Sequence, residues 1–160
     1  MATLNGNYIS VMADSLNKKI KILEAVIALN EEQHKILSDE EFDLDRFDLT
    51  VQEKAKYIDE LDLMDEGFAA LFDKVKAELD GKREEFADEI KEMQKLIRTI
   101  TELSAKVETG EKRNKALADR QFTALKKEVK EAKMSSQTAS KYYRSMSQVD
   151  STPQFVDSKH

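Results

Sequence analysis

Histidine is the side chain that most often does acid–base or metal chemistry near neutral pH, and this chain has two, His34 and His160. They lie in different regions. His34 has Glu31 and Asp39 nearby in sequence, which is no metal-ligand spacing, because such sites draw three or four ligands from short, fixed intervals. A partly buried helical histidine with a solvent or carbonyl partner is the better reading. The acids offer a second candidate. Asp39, Glu40, Glu41, Asp43, Asp45 and Asp48 form a run that superficially suggests calcium. An EF-hand loop needs Gly at its sixth position and Glu at its twelfth. Here Phe42, Leu44 and Phe47 interleave instead. The run reads as a solvated acidic loop that tucks Phe42 and Phe47 onto the end of a bundle. With 32 acids in the chain, paired carboxylates discriminate nothing. There is no glycine-rich phosphate loop and no nucleophile elbow. Cysteine is absent, which removes disulfide and thiolate chemistry. The expectation is a protein that is not an enzyme and that holds no metal or cofactor.

The elements that carry these residues are helices. Four Gly and one Pro in 160 residues are too few for a sheet-and-turn fold. Charged residues reach 36%, the profile of long helices and coiled coils. The net charge of −6 has both signs interspersed. Lys126, Lys127, Lys130 and Lys133 are interrupted by Glu128 and Glu131, so no basic face marks a nucleic-acid binder. No apolar run approaches the ~20 residues that span a bilayer. Met1 to Ser10 has neither the basic start nor the apolar core of a signal peptide. A cytoplasmic location is expected.

Periodicity places three helices, at about 7–37, 49–79 and 83–134. The first has the stripe Ile9, Met12, Leu16, Ile20, Leu23, Ile27, Asn30, His34, Leu37, widened by Ile22, Val26, Leu29 and Ile36 to a face that meets two neighbours. Between the helices, Ser38 with Glu41 has the spacing of a capping box. The second has Val51, Ala55, Ile58, Leu61, Met64, Phe68, Leu71 or Phe72, Val75 and Leu79, with Asp48 or Thr50 to cap it. Gly67 within it costs roughly 1 kcal/mol against Ala, so close approach of another helix beside Phe68 is expected. Asp80-Gly81 marks a turn. The fold class is therefore all-α: an elongated antiparallel three-helix bundle over 1–134, with a flexible tail at 135–160 that carries isolated anchors such as Tyr142 and Tyr143.

The third helix is the longest. From Phe86 its stripe runs through Ile90, Met93, Ile97, Ile100, Ser104, Val107, Glu111, Asn114, Ala118, Gln121, Leu125, Glu128 and Ala132. The 3-4 phase is kept on both sides of Gly110, so the helix reads through that glycine. About 50 residues at 1.5 Å each span roughly 75 Å, against roughly 45 Å for each of the first two helices. The third helix should outrun its partners near where its stripe turns polar. Asn114, Ala118, Gln121, Phe122, Leu125, Val129 and Met134, with Tyr142 and Tyr143, are the expected partner-binding residues. Phe122 stands one step off the stripe and widens its apolar face beside Gln121.

The order of these segments resembles the flagellar export chaperones of the FlgN family, related in role to FliT. The first helix closes with LEAVIALNEEQHKIL. A loop of acids and Phe follows, then QEKAKYIDELDLMDEGF, where Glu53-Lys54 and Leu61 echo the family's EK..LI..L run. EIKEMQKLIRTITELSAKVETGEKRNKAL is similar to its L...I.EI..L...N..N..LL run, with Glu111 in place of a first Asn and Asn114 keeping the second. The closing YYRSMSQVDSTPQFVDSKH resembles the final segments of Gram-positive members. The resemblance implies a cytoplasmic chaperone for hook-filament junction proteins of the FlgK and FlgL type. It would bind their C-terminal helices and deliver them to the flagellar type III export apparatus. The rival reading is a generic coiled-coil adaptor that forms a homodimer through the same third-helix stripe.

Overall fold

The computed structural model describes residues 7–150, with side chains for 8–134. It has three helices: α1 (Asn7–Ser38), α2 (Leu44–Leu79) and α3 (Ala87–Asp150). No strand occurs among the described residues. The chain divides into two compact units, residues 1–118 and 119–160, and α3 contributes to both.

The ends of the helices follow local chemistry, with shifts from the sequence-based bounds. α2 begins at Leu44, earlier than the expected start near Asp48 to Thr50. Asp43 is its N-cap, in extended conformation at φ −92° and ψ 95°, with its carboxylate accepting from Arg46 N. This uses part of the acidic run to satisfy amides that the first helical turn leaves unpaired. The Ser38–Glu41 capping box does not form. Glu41 N donates instead to Asp39 Oδ1. α2 ends where Gly81 takes φ +72°, a left-handed backbone that glycine adopts without a Cβ clash. Lys82 N then donates to Leu79 O, and α3 starts at Ala87 rather than near Lys82 to Glu84. At the far end, α3 continues to Asp150, through most of the segment expected to be a tail. Ala, Lys, Met, Gln and Ser there lack an apolar stripe, but none breaks a helix. The first breaker is Pro153, which lies outside the described residues, as does His160.

Within residues 1–118 the topology is up-down-up. Tyr8 N donates to Glu78, Lys19 pairs with Asp65, and Lys54 meets Asn30. As the number on α1 rises, the number on α2 falls, so the two are antiparallel. Arg113 and Asn114 reach Glu31 and Asn30, while Met93 and Leu96 share a core with Ile9, Met12, Leu16 and Val75. α3 thus runs parallel to α1.

The buried line on each helix is a heptad seam. On α2 it passes through Phe47, Thr50, Lys54, Tyr57, Leu61, Met64, Phe68, Leu71 and Val75, all buried or half-buried. Val51, Ala55 and Ile58, expected on the seam, are exposed. On α1 the seam takes Val26 and Gln33, while Ile27 and His34 are half-buried beside it; Ile22, Leu29 and Ile36 are buried too. On α3 it takes Leu96, Leu103 and Gly110, where Ile97 and Ser104 are exposed. Gly67, expected to admit a close neighbour, faces open space, and the close approach is at Gly110.

Polar layer of the bundle and candidate partner-binding surface

The seams of all three helices carry polar residues at one level. Asn30 and Gln33 of α1, Lys54 of α2 and Asn114 of α3 are each at most 9% exposed. Lys54 Nζ donates to Asn30 Oδ1 at 3.1 Å and to Gln33 Oε1 at 2.9 Å. It also lies 2.7 Å from Glu111 Oε1, an ion pair that lacks hydrogen-bond geometry. Asn114 Nδ2 donates to the backbone oxygen of Asn30 at 2.8 Å and, more weakly, to Gln33 Oε1 at 3.4 Å. Arg113 donates to Asn114 Oδ1, to the Asn30 carbonyl and to Glu31.

Buried polar groups cost free energy unless bonded, and here a single ammonium serves two acceptors on α1 and an ion pair on α3. A one-heptad slip of any helix would strand these groups in an apolar environment, so the layer fixes register. Gly110 lets α3 approach. A Cβ at this position would lie 3.0 Å from Asn30 Nδ2 and 3.3 Å from Asn30 Cβ. Asn30 Nδ2 itself has no hydrogen-bond partner among the described residues. Ile27, Asn30, Glu31, Ala105, Lys106, Thr109, Gly110 and Arg113 line an open groove of about 350 Å³ there.

The nine expected partner-binding residues fall into three groups. Asn114 is in the polar layer and Ala118 is half-buried at the end of the first unit. In the second unit, Gln121 and Leu125 are half-buried, and Phe122, Val129 and Met134 are 36, 54 and 57% exposed. Phe122, Leu125 and Val129 are spaced by three and four residues, which puts them on one helical face, while Met134 stands off it. Tyr142 and Tyr143 lie on the last turns of α3, with side chains outside the described ones. Sequence reasoning did not find Gln33 and Lys54, which join Asn30 and Asn114 in the polar layer. The signal was present, since Asn30, Lys54 and Asn114 all lie in the runs that carry the family resemblance.

Among the described residues no group of His, Cys, Asp or Glu could hold a metal ion. Phe42 and Phe47 are half-buried with ring centroids 5.8 Å apart. No described helix is long and apolar enough to cross a membrane.

A family model described as FlgN protein matches residues 1–150. No curated protein and no solved structure matches the chain.

Proposed function

The chain belongs to the FlgN family, a family of flagellar export chaperones rather than enzymes, and on that premise we propose that it is a cytoplasmic chaperone for hook-filament junction proteins of the FlgK and FlgL type. It captures an amphipathic C-terminal helix of the substrate on the second unit of α3 and presents it to the flagellar export apparatus. The observation that carries this reading is the apolar face of α3 on which Phe122 and Val129 are exposed and Leu125 is half-buried. Leu125 and Val129, with Phe122 beside them, offer a helix-in-groove contact line, and Met134, Tyr142 and Tyr143 extend the contact. Asn114 and Ala118 serve the bundle instead. Burying each large apolar side chain contributes about 2 kcal/mol. Three or four of them support micromolar binding once association costs are met.

Calorimetry with the C-terminal helices of FlgK and FlgL tests the proposal. Binding at a Kd on the order of 1–10 µM is expected. A Leu125→Ser/Val129→Ser variant should lose this binding at an unchanged Tm. Absence of binding at tens of micromolar sinks the reading. A large fall in Tm for the variant would place these residues in a core.

A further inference from the structure

Within residues 1–118, α2 presents a second apolar line besides its seam. Leu44, Val51, Ile58 and Phe72 stand at multiples of seven residues and are 39 to 44% exposed. Seven-residue spacing is that of a coiled-coil contact line. Ala55 and Ala69 are exposed on the same face, and their small side chains leave room for another backbone to come close. Lys76 lies 5.0 Å over the Phe72 ring, so the open part of the line is centred on Val51 and Ile58.

The edge of this line has one sign of charge. Asp59, Asp62, Glu66 and Asp73 follow one another in steps of three, four and seven, and all are exposed, so they border the apolar residues on one side. Residues 48–73 hold eight acids against two bases, a net −6 that equals the net charge of the whole chain. One of the two bases, Lys54, is buried in the polar layer. Lys19 pairs with Asp65, and no other acid of residues 48–73 has an ion pair among the described residues. The negative field is thus concentrated on the outer face of α2, where it repels nucleic acid and anionic lipid and attracts bases. Opposite charges at the positions flanking an apolar line set pairing in coiled coils. We infer that this face docks an amphipathic helix of a different protein, one with an apolar stripe edged by Lys or Arg. The inference goes beyond the chaperone reading, because it uses no residue after Ala118 and no substrate enters it.

The probe is a synthetic three-heptad helix with Leu at its contact positions and Lys along both edges, labelled for fluorescence anisotropy and titrated with the full-length protein. Binding at a Kd of about 10–100 µM at low salt is expected, weakening several-fold as salt screens the charges. Val51→Ser/Ile58→Ser should weaken it about tenfold at unchanged circular dichroism. Asp62→Lys/Glu66→Lys should reject the Lys-edged helix and accept a Glu-edged version of it, an exchange of preference that misfolding cannot produce. Leu125→Ser/Val129→Ser should bind the Lys-edged helix like the parent, which separates this test from the junction-protein titration. Three results overturn the inference. Loss of binding in the Leu125→Ser/Val129→Ser variant would place the probe on the end of α3. Full binding by Val51→Ser/Ile58→Ser would mean that charge alone adsorbs it. A parent that binds the Glu-edged helix as well as the Lys-edged one, or binds neither, would remove the basic helix as the occupant of this face.

Discussion

Lys54 is the residue through which the three helices read one another. Its ammonium serves Asn30 Oδ1 and Gln33 Oε1 and pairs with Glu111. Lys54→Met keeps the stem and removes the donor. Glu111, whose side chain is 40% exposed, can turn to water, so the cost falls mainly on the two buried amide oxygens. A loss of about 2 kcal/mol is expected in urea melts. Adding Asn30→Leu and Gln33→Leu should recover much of it, at the expense of register. If Lys54→Met melts like the parent, the layer is energetically idle. The glycines give a paired comparison. Gly67→Ala meets nothing within 4 Å and should raise stability by about 0.5–1 kcal/mol through helix propensity. Gly110→Ala has the same propensity gain but crowds Asn30, whose Cβ is 3.3 Å from the added atom and cannot swing aside as a flexible chain end would. Its net effect should fall below that of Gly67→Ala by at least about 1 kcal/mol, and equal melting shifts would show that α3 has room to move.

At the scale of elements, the number and order of the helices were legible, because Gly and Pro are rare and apolar periodicity is strong, whereas the start of α2 and the far end of α3 were not. Seam positions were legible in part: Asn30 and Asn114 were read onto the seam, while Ile97 was taken for Leu96. Around the polar layer, a reader following apolar residues slides by one place, from Thr50 to Val51 and from Gln33 to His34. The glycine seam position invites the same slide, from Gly110 to Glu111. These three slides follow a polar or absent side chain in the core, which no hydrophobic pattern marks. The start of α2 was missed for a related reason: the acidic run looked like a loop, yet its Asp43 is a cap. Asp43→Ala removes the acceptor for Arg46 N and should cost about 1 kcal/mol. Hydrogen exchange should accelerate at the amides of Asp45 to Phe47 and leave the middle of α2 unchanged. Uniform acceleration along α2 would mean that the cap supports the whole helix.

For the whole molecule, the same α3 serves two environments. Up to Ala118 its seam runs through large apolar residues and then the polar layer, held by α1 and α2. From Asp119 to Met134 its large apolar side chains are half-buried or exposed. The family could be read from the sequence because weak motifs recur in the right order over nearly the full chain, whereas a surface that binds another protein leaves no spacing rule of its own. The division at Ala118 makes a separable claim about folding and binding. A chain ending at Ala118 retains the core cluster of Ile9, Met12, Leu16, Val75, Met93 and Leu96 and the polar layer. It should therefore unfold in one cooperative transition, as small single domains do. It should also lack junction-protein binding, since Leu125 and Val129 are gone. Calorimetric melting and titration of this shortened chain check both halves. A non-cooperative melt would mean that residues beyond Ala118 belong to the folding core. Retained binding in a cooperatively melting chain would move the binding surface onto the bundle.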